Sequence, residues 1–133
     1  MSHWATKFIG LPWAYGARGP HEFDCWNFVR HVQKDHFGID MPEVDYHDDW
    51  KSAAENLSHH EERRNWTQVD KAQEGDVVLM ARSRLPVHIG ICITANRQSG
   101  VIHCVRGQGV VFQPFGSLTV AGWGSLQFYR RVT

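Results

Sequence analysis

The sequence predicts one α+β domain in which N-terminal helices pack on one face of a C-terminal antiparallel β-sheet. Apolar residues at helical spacing occur in the first part of the chain, whereas strand-like alternation with a period of two dominates after Asp70. The chain has 133 residues, of which 42% are hydrophobic and 21% are charged, as is usual for a single globular core. We therefore expect residues 1–133 to form one domain.

Composition excludes several classes of function. Lysine plus arginine and aspartate plus glutamate number 14 each, so no overall charge attracts nucleic acid or an anionic membrane, and neither is an expected partner. The three cysteines are widely spaced and odd in number, which suits neither a disulfide framework nor a zinc site, so we expect no metal. The N-terminus shows no apolar stretch of signal-peptide length, which leads us to expect cytoplasmic synthesis without a signal peptide.

The first predicted element is a short helix with Trp4, Phe8 and Ile9 on one face. Gly10 should end it, because glycine readily terminates a helix. Prolines and glycines interrupt residues 11–20, which we expect to be irregular.

The stretch that organises the chain is the start of the second predicted helix. Asp24 is a favourable N-cap and Gly38 a favourable C-cap, so we expect a helix over residues 25–37. Cys25 then occupies the first helical position, where backbone N–H groups and the helix dipole stabilise an anion. A thiol at this position should lose its proton more easily, and the thiolate is the nucleophile. The adjacent charge of Asp24 opposes this effect, so a base must help.

The second half of the chain is predicted to be a β-meander. Residues 43–70 are polar, with one candidate helix at 48–57, and strands are expected at residues 76–80, 88–94, 100–105, 110–112 and 126–130. If the second and third strands pair across a turn at 96–100, His88 and His103 lie near one another on neighbouring strands. The start of the Cys25 helix would also have to pack over that end of the sheet.

From these residues alone, Cys25 could be either a catalytic nucleophile or an inert cysteine. The inert case is the more common one, because unoxidised cysteines are usually buried core residues. By strand alternation, Cys92 shares a face with His88 and Cys104 points opposite His103. We expect both Cys92 and Cys104 to be core residues.

Several separated motifs occur in order along the chain: Leu11-Pro12-Trp13, Gly16-Ala17, Phe23-Asp24-Cys25-Trp26, Ala72-Gln73-Glu74-Gly75-Asp76-Val77-Val78, Val87-His88-Ile89-Gly90-Ile91 and Val101-Ile102-His103-Cys104. Together they resemble the NlpC/P60 family of cell-wall cysteine peptidases. That family shows a P-Y, G-G and D-C-S-G helix start, a P-G-D-L-V strand, an H-V-G-I-Y strand and a following histidine. The tryptophan after the cysteine is most similar to short members encoded in phage and prophage tail gene clusters.

The resemblance implies a small papain-like α+β fold and a Cys-His-His triad. Cys25 would be the nucleophile, His88 the general base, and His103 the residue that orients His88. The backbone N–H of Cys25 would contribute to the oxyanion hole. The implied substrate is a peptidoglycan stem peptide, typically cut between D-glutamate and a diamino acid, and no metal or cofactor is implied.

The sequence departs from the family pattern around the cysteine. Trp13 stands where a tyrosine is usual. Two roles are open for Trp13: its indole N–H could donate a hydrogen bond in place of the tyrosine hydroxyl, or its ring could form a wall of the cleft. Trp26 replaces a serine with a larger side chain that would narrow the site. Tyr15 and His21 precede the cysteine and are candidates for lining the cleft, with plain loop packing as the alternative. Arg18 would flank the cleft mouth, where it would either meet substrate carboxylates or stay solvated.

The resulting hypothesis is a thiol amidohydrolase that acts at the cell wall after delivery by a phage or prophage tail, whose proteins would be additional partners. Two alternatives stay open. One is a catalytically silent structural component of a tail, and the other is a thiol acyltransferase on the same fold.

Overall fold

The computed structural model describes residues 3–41, 65–81 and 88–132. Three predictions fall outside these ranges: the candidate helix at 48–57, most of the polar stretch at 43–70, and the position of Val87. The described elements are, in order, a 3-10 helix (Trp4–Phe8), α1 (Cys25–Phe37), β1 (Trp66–Val69), β2 (Val77–Ala81), β3 (His88–Ala95), β4 (Gln98–Val105), β5 (Gly109–Pro114), α2 (Phe115–Val120) and β6 (Ser125–Arg131). Within the described ranges, no helix has the length and apolar character needed to cross a bilayer.

The six strands form one antiparallel sheet in the order β1-β6-β2-β3-β4-β5. Strands β2 to β5 are the predicted meander, and β6 returns to lie between β1 and β2. Asn96 and Arg97 connect β3 to β4 with φ angles of 51° and 65°. Two consecutive positive φ angles are typical of a tight hairpin turn that fits the twist of the sheet. This turn sets the β3–β4 register, in which Ile91 lies opposite Ile102.

Each face of the sheet carries its own core. We call the face that packs against α1 the α1 face; its buried residues include Leu79, Ile91 and Ile102. We call the opposite face the histidine face; there Val78, Met80, Cys92 and Val101 pack under Leu118 and Trp123. All five residues of β2 are buried, as expected for a strand covered on both sides.

The α+β class is confirmed, with the N-terminal helices on the sheet, but helices cover both faces rather than one. The second cover is α2, whose six residues are too few to show a helical period in the sequence. Strand β1 was likewise not predicted, because its four residues lie in a stretch with little apolar alternation.

Helix α1 has the predicted ends. The side chain of Asp24 accepts a hydrogen bond from the backbone N–H of Asn27 at 2.7 Å, and Gly38 adopts a left-handed φ of 70° at the C-cap. The first helix differs from the prediction, because it is a 3-10 helix that buries Ala5 and Phe8 while Ile9 is 47% exposed. Residues three apart share a face in a 3-10 helix, which explains this pair.

Candidate active site

The irregular loop at residues 11–20 is tied to the backbone immediately before Cys25. The N–H of Phe23 donates to the carbonyl of Pro12 at 3.1 Å, and the N–H of Asp24 donates to the carbonyl of Ala17 at 3.1 Å. These bonds give the loop a defined position relative to the start of α1.

The same loop is anchored to β5, the edge strand of the sheet. The N–H of Gly10 donates to the carbonyl of Val110 at 2.9 Å, and the N–H of Val110 donates to the carbonyl of Leu11 at 2.9 Å. Gly109 is needed for this approach, because a Cβ at that position would lie 2.4 Å from the Leu11 oxygen and its φ is +83°. The edge of the sheet is therefore covered where the loop begins.

The four predicted substrate-binding residues differ in exposure. Trp13 is half-buried, with the Arg106 guanidinium carbon 5.4 Å from its ring centre. Tyr15 is 57% exposed and His21 is also exposed, so both can be reached from solvent. Trp26 is 1% exposed and packs in the core of the α1 face, where a substrate could touch it only after the core opened.

Cys25 does not have the easily ionised thiol that its helix position led us to expect. The pKa of Cys25 is raised to about 12, mainly by burial and in smaller part by the adjacent Asp24 carboxylate and the thiol of Cys104. The backbone N–H groups of Trp26 and Cys25 lower this pKa, as expected at a helix start, but burial is the larger effect. These surroundings therefore favour the protonated thiol over the thiolate.

The two predicted histidines form a buried hydrogen-bonded pair. Nε2 of His88 lies 2.7 Å from Nδ1 of His103, and the two residues are 5% and 0% exposed. The structure thus brings them together on neighbouring strands, as pairing across the hairpin predicts. Gly90 leaves room for the pair, because a Cβ there would lie 3.1 Å from the Cβ of His103.

Sequence reasoning missed two residues that contact this pair. Oε1 of Gln113 lies 2.6 Å from Nε2 of His103. The indole of Trp123 stacks on the His88 ring with the centres 4.9 Å apart and the planes 18° apart, and it meets the His103 ring edge-on. The only sequence signal for Gln113 is its polar character within a short β-strand pattern, and Trp123 lies beyond the last recognisable motif.

Cys25 and the two histidine rings pack against different clusters of buried residues. His88 lies on the histidine face under Trp123, whereas the next residue, Ile89, belongs to the core around α1 that contains Cys25. Cys104 follows His103 in the same way, packs in that core and donates from its thiol to the carbonyl of Phe23 at 3.3 Å. The contact between the Cys25 thiol and His88 stays a prediction.

Two further features concern ligands. A groove of about 290 Å³ follows α1 and is lined by Arg18, Asn27, Arg30, His31, Lys34 and Asp35. Its lining is mainly basic, which would favour anionic groups.

In the described parts of the chain, no three His, Cys, Asp or Glu side chains are grouped so that they could hold a metal ion.

Comparisons with known proteins agree with this architecture. The model of the NlpC/P60 family matches residues 10–123. The NlpC/p60 domain of the peptidoglycan hydrolase SagA superposes with a TM-score of 0.60 at 22% identity, covering 94% of this chain and 90% of that one. An N-acetylmuramoyl-L-alanine amidase from Bacteroides uniformis superposes with a TM-score of 0.51 at 11% identity, covering 97% of each chain. A comparison with curated proteins finds no match.

Proposed function

The chain belongs to the NlpC/P60 family, and we propose that it is a cysteine-dependent amide hydrolase that acts on peptidoglycan stem peptides. The observation that carries the proposal is the buried pair of His88 and His103, 2.7 Å apart, on the strands against which α1 packs. Cys25 at the start of that helix supplies the nucleophile. The names of the two similar structures, a peptidoglycan hydrolase and an N-acetylmuramoyl-L-alanine amidase, support the wall as the source of the substrate.

The proposed reaction begins when the Cys25 sulfur attacks a peptide carbonyl and the thiol proton passes to His88. Nδ1 is the ring nitrogen that would take this proton, because Nε2 of His88 faces His103. The backbone N–H of Cys25 would stabilise the oxyanion. His88 then protonates the leaving amine, and a thioester remains on Cys25. Water attacks the thioester, His88 takes the proton of the water, and the thiol is released with the acid product.

The raised pKa of Cys25 determines how the thiol would be activated. Burial and the adjacent Asp24 carboxylate raise this pKa, which favours the protonated thiol. We therefore propose that proton transfer to His88 accompanies the attack, as in general-base catalysis.

Arg18 is the residue that we assign to substrate carboxylates. It lines the basic groove with Arg30 and Lys34, and stem peptides carry carboxylate groups that a guanidinium binds in a two-point geometry. We assign Trp13, Tyr15 and His21, which precede α1 in the chain, to further contacts with the substrate. Delivery by a phage tail stays a prediction, since neither the family model nor the two similar structures bear on it.

The buried, protonated thiol favours one alternative: a domain that keeps the fold but has no catalytic activity. Its pKa of about 12 and its 7% exposure are those of an inert core cysteine. In that case the histidine pair would be a structural network within the histidine face.

Product analysis separates the two candidates. Purified protein is incubated with peptidoglycan and with synthetic stem peptides, and the products are identified by mass spectrometry. The proposal predicts new amine and carboxylate ends with the native protein and with Cys92→Ala, and none with Cys25→Ala. Cys92→Ala is the matched control, because it removes another buried thiol, on the histidine face. Cleavage that persists in Cys25→Ala, or that never occurs, would overturn the proposal.

A further inference from the structure

Three side chains on neighbouring strands form one hydrogen-bonded series. Oε1 of Gln113 on β5 lies 2.6 Å from Nε2 of His103 on β4. Nδ1 of His103 lies 2.7 Å from Nε2 of His88 on β3. Each distance is short for a hydrogen bond to nitrogen, so both contacts need one donor and one acceptor.

The chemistry of the amide oxygen determines where the protons lie. A side-chain carbonyl oxygen only accepts hydrogen bonds, so Nε2 of His103 must carry a proton. A neutral imidazole carries one proton, so Nδ1 of His103 is the acceptor in its contact with His88. Nε2 of His88 therefore carries the proton of that ring, and Nδ1 of His88 carries the lone pair.

We propose that Gln113 is a positioning residue that selects the tautomers of both histidines and thereby makes Nδ1 of His88 the basic atom. The catalytic meaning of this assignment rests on the proposed hydrolase function, whereas the tautomers themselves do not. Gln113 would act through His103 and His88 and would not touch the substrate.

The strand register holds Gln113 in place. Gln113 lies opposite Val101, which shares the histidine face with His103 two residues further along β4. Gly100 permits this approach, because a Cβ there would lie 2.3 Å from the backbone oxygen of Gln113. The side chain thus reaches the His103 ring from a backbone position that the sheet determines.

Burial makes the acceptor difficult to replace. His103 is 0% exposed and its ring meets Trp123 edge-on, so water is a poor substitute for the Gln113 oxygen. A buried N–H without an acceptor costs about 1–3 kcal/mol. In Gln113→Leu the pair can avoid this cost by moving both protons, which places them on Nδ1 of His103 and Nδ1 of His88. His88 would then have no lone pair on the atom that must take the thiol proton.

Nitrogen NMR tests the assignment without any substrate. Long-range ¹H–¹⁵N spectra of the imidazoles distinguish the two tautomers of each neutral ring, and they are recorded at a pH at which both rings are neutral. The native protein should show protonated Nε2 on His88 and on His103. Gln113→Leu should shift both rings toward protonated Nδ1, and Gln113→Glu, which keeps an acceptor oxygen, should retain the native tautomers. Gln108→Leu, in the exposed turn between β4 and β5, is the control and should change nothing.

Steady-state kinetics of the Gln113 variants then tests whether the tautomers of the histidines affect the rate of hydrolysis. Gln113→Leu should lower kcat by about 10²-fold, the lower end of the range for general-base catalysis, with little change in KM. Gln113→Glu should recover most of the loss. A native spectrum with protonated Nδ1 on either histidine would overturn the inference, even if Gln113→Leu fails to fold.

The positioning role of Gln113 and the hydrolase function of the protein can fail independently of each other. If the native protein cleaves stem peptides while Gln113→Leu keeps both tautomers and kcat, the inference is wrong and the hydrolase function stands. If the native protein cleaves nothing but its tautomers respond to Gln113→Leu as expected, the positioning role stands and the hydrolase function is wrong.

Discussion

The two faces of the sheet hold their reactive side chains in different ways. On the α1 face, Cys25 lies at a helix start in an apolar core, and its surroundings raise its pKa to about 12. On the histidine face, His88 is held by a hydrogen bond to His103 and a stacked Trp123. The backbone thus positions Cys25 in surroundings that favour the protonated thiol, whereas other side chains orient His88. Under the proposed function, activation of the thiol would depend on the histidine face.

The largest expected effect comes from removing the base. His88→Ala should lower kcat by about 10²–10⁴-fold, because it removes the group that we propose takes the thiol proton during attack. Steady-state hydrolysis of a stem peptide measures the change. His36→Ala, an exposed histidine in the last turn of α1 that stacks on Trp4, is the matched control and should keep kcat. A comparable loss of kcat in both variants would show that the effect is not specific to the histidine pair on β3 and β4.

Two buried tryptophans, one on each face, compare the roles of the two cores. Trp26→Phe and Trp123→Phe should each lower the free energy of unfolding by about 1–3 kcal/mol, because both rings are almost fully buried. Trp123→Phe should also change kcat and its pH dependence, since Trp123 stacks on His88, whereas Trp26→Phe should leave both unchanged because Trp26 packs in the core around α1. Urea denaturation and pH–rate profiles measure the two effects. A changed pH profile in Trp26→Phe instead would contradict the division between the faces.

Substitution of Gly90 by alanine adds a single methyl group on the histidine face, a smaller change than removing the Trp123 indole. In Gly90→Ala the added Cβ would lie 2.4 Å from a methyl carbon of Val101, which must shift, and 3.1 Å from the Cβ of His103, a tight contact that displaces His103 by a few tenths of an ångström. We expect a loss of about 1–3 kcal/mol in stability and a fall in kcat as the hydrogen-bonded pair lengthens. Gly116→Ala in α2 is the control, because a Cβ there meets nothing within 4 Å. Unchanged kcat in a folded Gly90→Ala protein would show that the pair tolerates displacement.

The smallest expected effect concerns Asp24 and the pH dependence of the thiol. The Asp24 carboxylate raises the pKa of Cys25, so Asp24→Asn should lower that pKa and shift the rise in alkylation rate toward lower pH. Burial is the larger cause, so the gain at a fixed pH should be less than about tenfold. Asparagine caps helices about as well as aspartate, so stability should change little.

Asp35→Asn provides the control for this effect. Asp35 is on the same helix but pairs with Lys7 at 3.0 Å. Mass spectrometry of alkylated peptides would measure the labelling of Cys25 in both variants. Equal rates in Asp24→Asn and in the native protein would mean that the carboxylate does not influence the thiol.

Sequence reasoning succeeded where signals are local. The ends of α1 follow from Asp24 and Gly38, which act within one turn of the helix, and the confirmed bounds are those predicted. The adjacency of His88 and His103 follows from one short hairpin, because its register depends on a two-residue turn.

The parts that sequence reasoning missed depend on contacts between distant segments. Gln113 and Trp123 reach the histidines only because β5 and the segment after α2 fold against β4 and β3. The pKa of Cys25 depends on how deeply the sheet buries the helix start, which no local pattern reveals. The backbone N–H groups at the helix start do lower the pKa of Cys25, but by less than burial raises it.

The most direct test of the account is to trap the acyl-enzyme. Native protein is mixed with a stem peptide, quenched in acid during turnover, digested, and mapped by mass spectrometry. We predict a thioester adduct on the peptide that contains Cys25 and none on the peptides that contain Cys92 or Cys104. Turnover with no adduct on Cys25, or with the adduct on another cysteine, would contradict the assignment of Cys25 as the nucleophile served by the histidine pair.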